Sequence, residues 1–208
     1  MSALCERTDI SIIVPVYNLE RFINPLLISL KAQDLGGYTA EIFFVLNNCT
    51  DDSEKVIRDS GLDCQILNCE IQGCGAARNV ALDWATGEYI WMMDGDDWLL
   101  SDTAIKDALD AAQGHDIFRI PYASARFSWN YFSMVWQYIL RREFVLEFRF
   151  PNYQPGEDDA YMDQVLHKAG YDRWTYMTMP HLNRPLYFYN YLREGSNMYQ
   201  VNVLHRNI

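Results

Sequence analysis

In "GEYIWMMDGDDWLL", Gly87 to Leu100, three carboxylates fall within four positions, directly after the apolar run Tyr89, Ile90, Trp91, Met92 and Met93. Side chains alternate along an extended segment, so Asp94 and Asp96 point the same way. Two carboxylates on one side offer hard oxygen ligands suited to Mn2+ or Mg2+, ions commonly held by one or two carboxylates plus substrate phosphates. The plain alternative is a polar strand end with solvated aspartates, and the abrupt change from Trp91-Met92-Met93 to charge counts against it. A second acidic group, "GEDD" at Gly156 to Asp159, opens a helical pattern. The helix dipole favours carboxylates there in any case. Whether Glu157 and Asp158 do chemistry as well, the residues by themselves leave open.

Such groups need elements to position them. "ISIIVPV" (Ile10 to Val16) is a short apolar, β-branched run that reads as a strand, and Asn18 then opens a helical pattern through Ala32 with Phe22, Ile23, Leu26, Leu27 and Leu30 inward. Pro25 kinks or restarts that helix. "EIFFVL" (Glu41 to Leu46) is a second strand. In the segment after it, Asp51 and Glu54 form a capping box and Gly61 a stop. "CQILN" (Cys64 to Asn68) is a third strand, "AARNVALDWATG" a helix ended by Gly87, and "EYIWMM" the fourth strand. Further on, Thr103 to Ala112 reads as a helix capped by Ser101 or Asp102, "DIFRIPY" as a strand, "EDDAYMDQVLHKAG" as a helix ending at Gly170, and Arg184 to Tyr191 as a strand. Strands apolar throughout and separated by helices imply a parallel sheet covered on both faces, which binds ligands at the carboxyl ends of its strands.

Composition narrows the class. At 208 residues the chain is sized for one substantial domain. Hydrophobic residues at 50% and charged ones at 22% are ordinary for a soluble globular protein and exclude a disordered or fibrous one. With 28 acidic and 17 basic side chains the net charge is −11, which argues against general nucleic-acid binding. Five cysteines, odd in number and without a CxxC pair or a secretion signal, read as reduced thiols in a cytoplasmic setting. Cys64, Cys69 and Cys74 are evenly spaced, whereas zinc ligands come in close pairs. No apolar run reaches the roughly 20 residues of a membrane-spanning helix; any membrane contact, at the inner face, would be peripheral. The aromatic stretches Phe127 to Phe150 and Trp174 to Tyr191 could stack on sugars or lie on lipid headgroups, but core packing is the better reading.

In order and spacing, "VPVYN" (Val14 to Asn18), "NNCTDDS" (Asn47 to Ser53), "ARN" (Ala77 to Asn79), "DGDD" (Asp94 to Asp97), "GEDD" and "PLYFYNYLREGS" (Pro185 to Ser196) resemble the pattern of the large family 2 of glycosyltransferases with the glycosyltransferase A fold. The resemblance covers roughly residues 10 to 198. It implies an α/β fold with a Rossmann-like, mostly parallel central sheet and helices on both faces. Residues of about 10–100 would bind the nucleotide sugar and about 101–208 would form the acceptor side of a single domain. It further implies a metal-dependent inverting transfer from a nucleotide-diphosphate sugar, UDP-sugar favoured, to a glycan or lipid-linked acceptor. Pro15, Tyr17, Asn18, Glu20 and Asn47 would then lie at the donor, with Tyr17 near the base ring. Arg78 would contact the nucleotide or its diphosphate. Asp94 would address the ribose and the metal, Asp96 would be the more direct metal ligand, and Mn2+ or Mg2+ the ion. Asp158 matches the base that takes the acceptor proton and Glu157 its neighbour, while Arg193 and Ser196 would steady the departing diphosphate. Surface glycan assembly is the family's habit, and self-association is left open.

The chain departs from that pattern at Leu46, where the family usually has Asp. Asn47 can still accept a hydrogen bond from a pyrimidine N–H through its amide oxygen. Asp96 and Glu157 are 61 positions apart, a short interval for the region that shapes the acceptor site. Two alternatives follow. One is a nucleotide-sugar-binding module that has lost turnover. The other is an Asp-nucleophile magnesium phosphatase, which leaves "VPVYN" and "ARN" unexplained and wants a small hydroxyl or β-branched residue where Trp98 stands.

Overall fold

The computed structural model describes residues 8–124, 134–153, 155–171 and 181–190. Its elements run β1 (Ile10–Val16), α1 (Asn24–Lys31), β2 (Ala40–Asn47), α2 (Ser53–Asp59), β3 (Gln65–Cys69), α3 (Cys74–Trp84), β4 (Tyr89–Met92), β5 (Trp98–Leu99), α4 (Ala104–Ala112), β6 (Ile117–Arg119), β7 (Tyr122–Ser124), β8 (Tyr138–Arg141), α5 (Arg142–Val145), α6 (Glu157–Lys168) and β9 (Tyr187–Tyr189). Six strands form the main sheet in the order β3-β2-β1-β4-β8-β6. β1 to β4 are parallel neighbours, and β8 inserts antiparallel between β4 and β6. A small sheet, β5-β9-β7, stands beyond the end of β4.

Both faces of the sheet are covered, which is why the inner strands are apolar at nearly every position. Ile10, Ile12, Val14 and Val16 of β1 pack with Leu26, Leu27 and Leu30 of α1 and Ile105, Ala108 and Leu109 of α4. Ile13, with Phe43 and Val45 of β2, packs on the other face with Ala77, Ala81 and Leu82 of α3 and Tyr161, Met162 and Val165 of α6. Each such side chain contributes roughly 1.5–3 kcal/mol on burial. Among the described residues, Trp91, Trp136, Tyr138, Tyr161 and Tyr187 are fully buried, so these aromatics serve the core. No helix among the described residues is long and apolar enough to cross a membrane.

The structure moves several element boundaries. The first helix begins at Asn24, with Pro25 in its first turn, where a missing N–H costs nothing. Asn18 does not open it: its φ is +50°, and the residues between run as turns. The Asp51–Glu54 capping box does not form, because the Asp51 carboxylate accepts from Ser53 and Glu20 while Glu54 pairs with Arg58. α3 ends at Trp84, before Gly87. Gly87 is required for a different reason: a Cβ there would stand 2.5 Å from the Ser11 nitrogen and 2.6 Å from the Ile10 carbonyl carbon. α4 starts at Ala104 with Thr103 at its cap, and neither Ser101 nor Asp102 takes that place. "DIFRIPY" is two strands in two sheets, β6 and β7, divided at Pro121, which cannot donate to a ladder.

Candidate active site at the carboxyl ends of the strands

β1 and β4 are neighbours, but β1 leads outward through β2 and β3 before α3 carries the chain back to β4. Loops leaving β1 and β4 therefore diverge, and the crevice between their carboxyl ends is the position where open α/β sheets bind ligands. Tyr17 leaves β1 into this crevice and is 50% exposed. The loop that carries it is latched to the one after β2. Thr50 N–H donates to Asn18 Oδ1 at 2.8 Å, Leu19 N–H to Ser53 Oγ at 2.7 Å, and Glu20 N–H to Asp51 Oδ2 at 2.9 Å. Pro15 is buried inside β1, opposite Val45.

The acidic turn leaves β4 beside that loop. Gly95 fits closely there: a Cβ would stand 2.4 Å from Leu19 Cδ1, so that side chain would have to shift. Asp94 and Asp96 are half-buried, while Asp97 is 0% exposed. Arg78 reaches this turn from α3 and is 2% exposed. Its Nη2 donates to Asp94 Oδ1 at 2.8 Å and its Nη1 to Asp158 Oδ1 at 2.5 Å. The guanidinium lies 5.4 Å from the Phe150 ring centroid. That ring is fixed in turn by Asn79, whose amide exchanges two 2.9 Å hydrogen bonds with the Phe150 backbone. Asp158 sits in the first turn of α6, after Gly156 at φ +101°. Glu157 is nearly buried beside Gly75, where a Cβ would come within 2.8 Å of Phe150 Cβ and 3.3 Å of Glu157 Cγ.

The electrostatics follow from this crowding. Burial pushes the Asp94 carboxyl up to about 7, and Asp158 and Asp96 add to the rise against the pull of Arg78. Asp97 is raised well above the carboxylate range, first by burial and then by Asp94 and Asp96. For Arg78 burial works against the charge, but Asp158 and Asp94 outweigh it and the guanidinium is held more firmly protonated than usual. Burial also lifts the Cys74 thiol to about 11, so it is an inert neighbour. Cys49, Cys64 and Cys69 are likewise free thiols.

Thus Tyr17, Asn18, Arg78, Asp94, Asp96, Glu157 and Asp158 lie on the elements that frame one crevice. Asn47 and Arg78 are both engaged within the protein. Asn47 is only 4% exposed; its Oδ1 accepts from Gly73 N–H at 2.8 Å, and its Nδ2 donates to the carbonyls of Ile71 and Cys69. It ties β2 to the loop after β3. Arg78 gives one terminal nitrogen to each of two carboxylates and so organises the acids of the crevice. Arg193 and Ser196 lie outside the described residues. Among the described residues no three His, Cys, Asp or Glu side chains converge as a metal site. Sequence reasoning missed Phe150, Tyr187 and Asn190, and assigned nothing to Asp97.

Fold and site together define an α/β protein with its acids at the switch point of a mostly parallel sheet. The chain belongs to glycosyl transferase family 2, whose model matches residues 11–177. Over 103 residues it is 38% identical to the poly(ribitol-phosphate) beta-N-acetylglucosaminyltransferase TarS of Staphylococcus aureus, a stretch covering 47% of this chain and 18% of that protein. The chain therefore spans a minor part of that relative's length. The crystal structure of S. aureus TarS 1-349 in complex with UDP-GlcNAc is similar with a TM-score of 0.77 and 25% identity, covering 92% of this chain and 61% of the other. A mannosyltransferase from Pyrobaculum calidifontis, in complex with GDP-Man and Mn2+, is similar with a TM-score of 0.71 and 16% identity, covering 96% and 61%. The architecture is the glycosyltransferase A fold, as the motifs implied.

Proposed function

We propose that this chain catalyses metal-dependent, inverting transfer of a sugar from a nucleotide-diphosphate sugar, a UDP-sugar by preference, to a hydroxyl of a glycan or lipid-linked acceptor. The observation that carries this reading is the Arg78 bridge between Asp94 at the end of β4 and Asp158 at the start of α6. It holds an acid from the donor side and an acid from the acceptor side within one guanidinium of each other. Donor and acceptor must meet in that way for direct displacement at a sugar carbon.

Tyr17 offers an exposed ring face to the base, beside Asn18 and Glu20. Asp158, held by Arg78 and the α6 N-terminus, takes the proton of the attacking hydroxyl, and Glu157 flanks it. The acids of this turn fit a divalent ion. Asp94 and Asp158 meet at Arg78, Asp96 stands two residues on from Asp94 in the same turn, and hard carboxylate oxygens suit Mn2+ or Mg2+. Asp96, with Asp94 beside it, would hold the ion, and the substrate diphosphate would complete its shell. Bound there, the ion supplies positive charge to the departing diphosphate. The mannosyltransferase named above carries Mn2+ with its donor, and TarS carries UDP-GlcNAc; both support the reading. A place in the cytoplasm, at the inner face of the membrane, suits a nucleotide-sugar donor and a lipid-linked acceptor.

Leu46 and the occupied amide of Asn47 favour one competing reading, a module that binds donor without turnover. The phosphatase reading loses its ground with the family assignment. Calorimetric titration of UDP, GDP, CDP and dTDP, each with Mn2+ and with chelator, tests the proposal on the native chain and on Asp96→Ala. Metal-dependent binding of one nucleotide, lost in the variant, is expected. Binding of none would overturn the donor-site reading, and binding without any donor hydrolysis or transfer would leave the inactive module.

A further inference from the structure

We propose that Tyr187, acting with Asp97 and Asn190, is a positioning residue that holds the Asp94–Asp97 turn from the second sheet and so sets how strongly the turn binds metal and diphosphate. The inference rests on the donor-site reading above.

Three carboxylates on one short turn repel each other, and the flexible Gly95 does nothing to hold them. Something outside the turn must fix it. The Tyr187 hydroxyl accepts from Asp94 N–H at 3.0 Å and donates to Asp97 Oδ2 at 2.6 Å, so one oxygen pins both ends. Asn190 N–H donates to Asp97 Oδ1 at 2.8 Å, and Asn190 Nδ2 to the Asp96 carbonyl at 3.3 Å. Asp97 N–H closes the turn on the Asp94 carbonyl at 3.2 Å. Asp97 is therefore turned into the protein, fully buried, and cannot be a ligand to an ion in the crevice. Its place is to receive these donors, while Asp94 pairs with Arg78 and Asp96 stays partly exposed.

The hydroxyl that does the pinning is itself rigid. The Tyr187 ring is fully buried, stacks on Trp136 with centroids 5.2 Å apart, and sits 6.1 Å from Trp91 of β4. Alongside, Trp98 and Phe188 stack at 4.1 Å and join β5 to β9. The acidic turn is thus set by a packed aromatic wall, not by a mobile side chain.

Tyr187→Phe keeps the ring and removes only the hydroxyl. Its circular dichroism should match the native chain. Metal-dependent UDP binding should weaken about tenfold, the scale of losing a hydrogen bond to a charged group. The Mn2+ concentration for half-maximal binding should rise by a similar factor, with acceptor KM unchanged. Asp97→Asn probes the same network from its other end and carries the test if Tyr187→Phe does not fold; the double variant should lose no more than the worse single one. A variant that lowers Tm yet leaves Mn2+ half-saturation within twofold of native would make Tyr187 a core residue only and overturn the proposal. If the native chain binds no nucleotide with any metal, the donor-site reading falls first and this one with it.

Discussion

Replacing Arg78 by Met tests the centre of the site, because an unbranched apolar stem is kept while the guanidinium, with its charge and donors, is lost. In the native structure the guanidinium is 2% exposed and gives one terminal nitrogen to Asp94 and the other to Asp158. Met at this position leaves two partly buried carboxylates facing each other with no cation between them. Breaking a buried pair from one side costs about 3–5 kcal/mol, most of it the uncompensated charge that remains. For a domain of this size each kcal/mol is worth about 2–4 °C, so Tm should fall by about 6–20 °C. Urea unfolding at neutral pH should show the loss as a shifted midpoint with the slope unchanged. Arg78→Lys should fall between, since one ammonium cannot fork to two acids as a guanidinium does. Adding Asp94→Asn and Asp158→Asn to Arg78→Met should recover most of the loss by removing the stranded charges. A loss under about 1 kcal/mol for Arg78→Met, the range of an exposed ion pair, would refute the bridge.

Asp158→Asn should cut turnover by a factor on the order of 10²–10⁴, the usual worth of a positioned base, with donor affinity in calorimetry unchanged, because an amide oxygen can still accept from Arg78. Gly87→Ala should cost about 1–3 kcal/mol in urea unfolding, because its Cβ would press on strand backbone that cannot yield. Asp51→Asn should cost about 0.5–1.5 kcal/mol at pH 7, the scale of one lost hydrogen bond. Burial alone would raise the Asp51 carboxyl, but hydrogen bonds from Ser53 and Glu20 outweigh it and hold it below 3.8. A depressed folded pKa means stability that is full above the unfolded value and fades as pH falls through the folded one, so native and Asp51→Asn midpoints should converge only below about pH 3.8.

How much of this was legible depended on how local each cause is. The four parallel strands could be read because β1, β2 and β4 are apolar at nearly every position, and only a sheet covered on both faces needs that. β8 could not, because Tyr138–Arg141 lies in a stretch dense in aromatics and its partners, β4 and β6, are set by tertiary pairing. The start of α1 failed for a related reason. Phe22 and Ile23 fit a helical face, yet the hydrogen bonds from Leu19 and Glu20 go across to Ser53 and Asp51, more than 30 positions away, so the loop is held by its neighbour and not by its own turn.

The same distinction separates the acids of the site. Residue type and spacing along one segment pointed to Asp94 and Asp96, but nothing within "DGDD" says which of its three aspartates turns inward. That choice is made by Tyr187 and Asn190, about 90 positions later. Arg78 shows the converse: a guanidinium suits phosphate by its chemistry, so the sequence suggested a diphosphate contact. The packing of α3 against α6 also gives it two carboxylates, which the sequence did not show. A motif therefore lists the groups available to the reaction, and tertiary hydrogen bonds decide which of them face the substrate and which hold the others in place.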